Sequence, residues 1–282
     1  MRIELADHLA AHLPRQGTFD AVLSLTGRVF REHKNRRTFR CEIGGRAYFV
    51  KVHDRTPPAE FVRNLLHVRW PITSAAPERD AIERLVRLGA PTVRCAGFGE
   101  RGGTPWTRQS FIITEALEGF IHLDEAVRSW QSLPHQRQSR LKHAAVAELA
   151  AIARAMHENG LNHRDFYLCH FMLPQRDFST FERGDELRLH VIDLHRVQIR
   201  PRVPIRWIAK DLSGLLFSSL DLGVTSLDGL RFLRTYWGRG WRERLRQRGT
   251  RGFLRHVIRR AVRTYRGDFG RSPALPAGLA SF

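Results

Sequence analysis

Long apolar runs are missing from this 282-residue chain. No stretch approaches the ~20 apolar residues that a membrane-crossing helix needs, so none is expected. The opening residues, MRIELADHLAAHLP, carry Glu4 and Asp7 and no continuous apolar core, which argues against a secretory signal. Cysteine is scarce. Cys41, Cys95 and Cys169 are odd in number and widely spaced, give neither a disulfide nor a metal pattern, and imply a reduced, cytoplasmic setting. No HExxH or HxH spacing supports a zinc site. No helix-turn-helix, RNP or zinc-finger pattern marks a nucleic-acid binder, and there is no internal repeat.

Lysine is nearly absent from a chain rich in cations. Only Lys34, Lys51, Lys142 and Lys210 stand among 47 Lys and Arg, so a lysine in an apolar strand is conspicuous. Acids number 28, and the resulting net charge of +19 calls for an acidic partner: nucleic acid, an anionic membrane face, a phosphorylated substrate or an acidic protein. Hydrophobic content of 42% and charged content of 27% are those of a globular protein with a sizeable core.

Residues 1–20 read as a leader of one or two helical turns broken by proline and glycine. From Val22 the pattern turns to β, with short runs at 29–30, 38–43 and 47–52. Gly44-Gly45 supplies the positive-φ turn of a two-residue hairpin. In the last run Tyr48, Val50 and Val52 share one face, and Phe49 and Lys51 the other. A short helix is expected at 61–69. A second begins near Pro77, repeats Ala81, Ile82, Leu85 and Leu88 at helical spacing, and stops at Gly89. Strands are expected at 92–98 and 110–115, and Glu118-Gly119 then breaks the β pattern. Beyond it the chain reads as helical at 123–130, 134–158, 205–222, 226–247 and 252–266, with a frayed tail at 272–282. Residues 171–173 and 187–193 read as a hairpin around a polar insert.

The chemistry concentrates in two stretches, NHRDFYLCHFML at 162–173 and VIDLHR at 191–196. Phosphoryl transfer from ATP needs a lysine on the phosphates, an acid to hold it, metal ligands, and an acid beside the attacking hydroxyl. Lys51 on a strand, Glu78 on the next amphipathic helix, Asp165 in His163-Arg164-Asp165, His170 and Asp193 supply these parts in that order. Glu83, further along the same helix as Glu78, competes for the lysine. Cys169, flanked by Leu168, reads as a packed residue rather than a thiol nucleophile.

NHRDFYLCHFML followed by VIDLHR resembles the WaaP (RfaP) family of lipopolysaccharide core heptose kinases. YFVKVH at 48–53, FIITE at 111–115, RWIAKDLSGLLFSS at 206–219 and the NLL…RWPI segment at 64–72 extend the resemblance across most of the chain. It implies an α+β, two-lobed protein-kinase-like fold: a small antiparallel β-rich N-lobe over 1–116 and a mainly helical C-lobe over 117–282. It also implies ATP and Mg²⁺ as cofactors. Asp165 would be the catalytic base or at least orient the sugar hydroxyl. Lys51, held by Glu78, would neutralise phosphate oxygens, and Asp193 with His170 would sit at Mg²⁺. Asp211, opening the next helix, would brace the catalytic loop from behind.

Against the protein-kinase pattern, His170 replaces an asparagine and Asp193-Leu194-His195 replaces DFG. Gly27 stands alone where three glycines are usual, so Arg28 or Arg31 would assist there. His170 could ligate metal, or bond a phosphate or Asp193 instead. The resemblance implies a lipopolysaccharide core/lipid A acceptor, a cytoplasmic protein peripheral to the inner face of the inner membrane, and no nucleic acid. It admits acyl carrier protein as a stabilising partner. A protein kinase using the same site, and a basic nucleic-acid-binding protein, are the competing functions. In the C-terminal segment 251–266 an apolar stripe runs from Phe253 to Tyr265 with arginines on the other faces. It reads either as a core helix with a solvated face or as a surface for acidic lipid head groups.

Overall fold

The computed structural model describes residues 1–33, 35–58, 74–176 and 178–280. The helix expected at 61–69, and the matched segment at 64–72, lie outside them. The chain divides into two compact units, Met1–Arg84 with Val93–Glu118, and Leu85–Thr92 with Gly119–Phe282.

The first unit is built on a six-stranded antiparallel sheet. Its strands are β1 (Arg2–Leu5), β2 (Arg28–His33), β3 (Arg36–Ile43), β4 (Arg46–His53), β5 (Cys95–Arg101) and β6 (Gln109–Glu115), in the order β1-β5-β6-β4-β3-β2. Gly44 and Gly45 join β3 to β4 with φ of 58° and 74°, the paired positive values that a two-residue hairpin requires. Alternation along β4 buries Tyr48, Val50 and Val52 against Phe39, Phe111 and Ile113. The same alternation turns Lys51 to the other face, in the middle of a strand flanked on both sides. Lys51 is therefore not an edge-strand lysine kept for solubility.

The expected leader proves to be part of this sheet. Arg2–Leu5 pairs with β5, and helices α1 (Asp7–Ala10) and α2 (Thr18–Leu23) bury Leu9, Phe19 and Val22 in the same core. A strand of four residues with mixed polarity gives too little alternation to be read locally; its partner more than ninety positions on supplies the ladder. Gly27 also has a packing reason, since a Cβ there would lie 2.1 Å from the Arg40 carbonyl oxygen.

Helix α3 (Ala76–Arg87) and the two residues before it are tied to the sheet by polar contacts. The Ala75 amide donates to Ser110 Oγ at 2.9 Å, Ser74 bonds Glu100, and Arg79 reaches Glu4 at 2.9 Å. Arg79 also lies over the Phe98 ring.

The second unit is mainly helical: α4 (Leu123–Trp130), α5 (His135–Glu158), α6 (Ile205–Ser219), α7 (Ser226–Trp237), α8 (Trp241–Arg246), α9 (Arg248–Phe269) and the turn Ala277–Ala280. The continuous helix expected at 226–247 is broken at Gly238 and Gly240, both at positive φ. The segment expected as a frayed tail carries that last helical turn. The apolar face of α5 buries Leu141, Ala145, Leu149, Ile152 and Met156, and Gly160 ends it in a left-handed conformation. Val257, Ile258, Ala261 and Tyr265 bury the stripe of α9, while its arginines at 255, 259, 260, 263 and 266 are exposed. Among the described residues no helix is long and apolar enough to cross a membrane.

Two short ladders shape the rest. β7 (Phe120–His122), β9 (Phe171–Pro174) and β10 (His190–Val191) form one sheet; β8 (Leu161–Asn162) and β11 (Gln198–Ile199) form the other.

Candidate active site

In the first unit Lys51 Nζ lies 2.6 Å from Glu78 Oε1. The lysine side chain is 20% exposed and the glutamate 4%, so the pair is largely removed from water and strengthened accordingly. Glu78 sits in the first turn of α3, where a helix N-terminus favours a carboxylate. Its Oε2 is buried with no hydrogen-bond partner among the described residues. Glu83, the competing acid, lies 3.6 Å from Arg79 Nε and is half exposed.

In the second unit the two ladders decide which side chains meet. Asn162 pairs with Gln198 across β8–β11, so the register runs on to set Arg196 beside Asp165. Arg196 Nη1 donates to both Asp165 carboxylate oxygens at 2.8 Å. Phe171 pairs with Val191 across β9–β10, which sets His170 beside Ile192 and Asp193; the Ile192 amide donates to the His170 carbonyl at 2.9 Å. Nothing in the two motifs singles out Arg196 for this contact. Its only local signal is a cation three residues after Asp193.

Asp193 adopts φ 59° and Arg164 φ 75°, the non-glycine residues at positive φ among those described. Such backbones persist only where surrounding bonds hold them. For Arg164 the holder is Asp211. Its carboxylate accepts from the His163 and Arg164 amides, each at 2.7 Å, and faces His157 Nε2 at 3.3 Å. Asp211 is fully buried and lies in the second turn of α6 rather than opening it.

His170 Nδ1 donates to the Asp165 carbonyl at 2.6 Å, while Nε2 lies 3.7 Å from Asp193 Oδ2. Burial opposes its charged form, but the Cys169 side chain, the Asp165 carbonyl and the Asp193 carboxylate outweigh it and hold the ring's pKa up at about 9. Asp193 Oδ1 accepts from His195 Nδ1 at 2.6 Å. His163 is fully buried, bonds the Ile192 carbonyl through Nε2 and stacks on His170; burial lowers its pKa. Cys169 is exposed, not packed, because the 3-10 turn Leu168–His170 points Leu168 inward and its neighbour out.

Among the described residues no three His, Cys, Asp or Glu side chains gather as a ready-made metal site. Mg²⁺ needs only one or two carboxylates when substrate phosphates supply further oxygens. Asp193, one-third exposed, fits that demand; His170, committed through Nδ1 and biased to the charged form, fits it less well.

A sheet lysine held by a helix glutamate, together with an aspartate loop braced by a buried helix carboxylate, are the parts of a kinase-like phosphotransferase. Residues 20–236 match the profile of the lipopolysaccharide kinase (Kdo/WaaP) family. The chain is 44% identical over 236 residues to the lipopolysaccharide core heptose(I) kinase WaaP of Escherichia coli K12, covering 84% of this chain and 87% of that one. It is 42% identical over 266 residues to the WaaP of Pseudomonas aeruginosa, covering 94% and 96%. Among solved structures, WaaP in complex with acyl carrier protein superposes with a TM-score of 0.76 at 40% identity, covering 94% of this chain and all of that one. The chain belongs to the lipopolysaccharide kinase (Kdo/WaaP) family.

Proposed function

We propose that this protein transfers the terminal phosphoryl group of ATP to a heptose hydroxyl, that of heptose I, in the lipopolysaccharide inner core. The observation that carries the reading is the Asp165 carboxylate, held by Arg196 on a loop that Asp211 braces, in a chain whose relatives bear that activity. Asp165 accepts the hydroxyl proton, or orients the hydroxyl as its oxygen attacks phosphorus. Lys51, kept in place by Glu78, neutralises phosphate oxygens of ATP. Asp193 would hold Mg²⁺, whose charge would screen that of the phosphates; His170 sits beside Asp193.

The division of labour assigns residues 1–116 to nucleotide binding and 117–282 to the catalytic loop, metal and acceptor. The exposed arginines of α9 favour contact with an anionic membrane face, and with it a cytoplasmic enzyme peripheral to the inner membrane. The same positive charge suits acyl carrier protein as a partner, as in the related WaaP complex.

Incubation with ATP, Mg²⁺ and dephosphorylated core lipopolysaccharide, followed by NMR, should place one new phosphate on heptose I. Phosphate transfer to polypeptide but to no core sugar would overturn the reading. Mass spectrometry of the purified protein tests the acyl carrier protein, and sedimentation with anionic vesicles tests the membrane contact.

A further inference from the structure

The start of α6 reverses the usual electrostatics of a helix N-terminus. That end favours acids, yet the first turn contains none and Pro204 offers no side-chain cap. Instead it carries Arg206 and, a little over a turn on, Lys210. Four cations surround the Trp207 ring. The Arg164, Arg200 and Arg206 guanidinium carbons lie 5.1, 5.8 and 5.7 Å from its centroid, and Lys210 Nζ lies at 5.7 Å.

An indole attracts a single cation too weakly to offset the mutual repulsion of four. The acids nearby are already engaged: Asp165 holds Arg196, and Asp211 accepts from two backbone amides. Arg200 rests on the neutral oxygens of Asn162 and Gln198. The side chains of Arg164, Arg206 and Lys210 make no hydrogen bond or ion pair with any described residue. Arg164 Nε and Trp207 Nε1 are buried donors without an acceptor among the described residues. Burial and the neighbouring Arg196 charge lower the pKa of both Arg164 and Lys210, as expected for positive charge lacking a counter-ion.

We propose that Arg164, Arg206 and Lys210, gathered on Trp207 next to Asp165, form a subsite for an acidic group of the acceptor, a carboxylate or phosphate on a sugar near the hydroxyl that is phosphorylated. This rests on the acceptor being core saccharide, as argued above. In that reading the phosphates of ATP have Lys51 and the Asp193-bound metal, which leaves the acceptor as the ligand whose acidic groups lack a partner. Cations in this geometry select an acidic acceptor and set its orientation at Asp165.

The test uses Lys210→Met, which keeps the stem, and the exposed Arg206→Ser, with three acceptors made from core of cells lacking this enzyme: that core untreated, the same core with its sugar carboxylates reduced to alcohols, and the same core stripped of phosphate. Expected for the wild type is an acceptor KM roughly 10- to 100-fold higher on one treated acceptor, which identifies the source of the anion. Each variant should show a rise on untreated acceptor and a smaller further rise on that treated one, with the ATP KM within about two-fold. Equal losses on all acceptors, a rise in ATP KM, an unchanged acceptor KM, or a wild type indifferent to both treatments would each overturn the subsite. A wild type that phosphorylates no core acceptor would remove the functional reading and the subsite with it. Normal wild-type turnover with unaltered variants would remove the subsite alone.

Discussion

One nitrogen of Arg196, Nη1, lies 2.8 Å from each carboxylate oxygen of Asp165. The carboxylate is thereby fixed in one orientation, with its remaining lone pairs free for a hydroxyl. Such a clamp is a positioning device, and it makes the two residues energetically inseparable.

Asp165→Asn should lower kcat by roughly 10²- to 10⁴-fold, the usual worth of a general base, with the melting temperature little changed. Arg196→Met should also lower kcat while leaving the ATP KM near its original value. The double variant should lose far less than the product of the single losses, because both substitutions disable one unit. Steady-state kinetics on the four proteins checks this; multiplicative losses would show that the clamp is irrelevant to turnover.

Lys51→Met should raise the ATP KM and cost stability. The substitution leaves the Glu78 carboxylate, 4% exposed, without its cation. Removing one partner of a buried pair costs about 3–5 kcal/mol, and the one-fifth exposure of the lysine places this case at or below the lower end. The double variant Lys51→Met, Glu78→Leu should recover much of that loss without recovering ATP binding. Urea unfolding alongside nucleotide titration separates the two effects.

Asp211→Ala should destabilise the protein by roughly 3 kcal/mol, since it strips one buried and one part-buried backbone amide of their acceptor. Arg164 would then leave its positive φ, so turnover should fall even where the fold survives. Asp211→Asn should be milder, keeping one acceptor oxygen for the two amides. Denaturant midpoints and kcat measured together provide the check.

The pH dependence of stability should carry the signature of His170. Its pKa rises from 6.5 to about 9 on folding, so the fold favours the charged ring. The resulting stabilisation is complete below pH 6.5 and is lost as pH climbs through about 9. In metal-free protein with chelator present, the unfolding free energy of wild type should drop over that window more than that of His170→Gln. Parallel curves for the two would refute the assignment.

Iodoacetamide should label Cys169, which is exposed, before Cys41 and Cys95. Burial raises the pKa of both other thiols, that of Cys95 to about 11, and so depletes the reactive thiolate. Peptide mass spectrometry over a time course would show the order.

Much of the fold was legible along the chain because its signals are local. Two glycines at 44–45 announce a tight hairpin, alternation over 47–52 separates Lys51 from the core face, and Gly160 stops a long amphipathic helix. Two sequence runs of twelve and six residues were enough to mark Asp165, His170 and Asp193. The strand Arg2–Leu5 escaped notice, as did the break at Gly238 and Gly240, because a short element with weak patterning is decided by what it packs against.

By itself, then, the order of amino acids determined the residue types, their secondary-structure settings and the family to which the chain belongs. Only tertiary structure decided which charges touch. Arg196 reaches Asp165 across the register of two-residue strands, Asp211 meets the backbone of Arg164 from a helix 47 positions away, and four cations crowd one indole. Periodicity reports which face of an element is buried. Contacts between distant charged side chains depend instead on ladder register and loop closure, and neither leaves a trace in the spacing of residues along the chain.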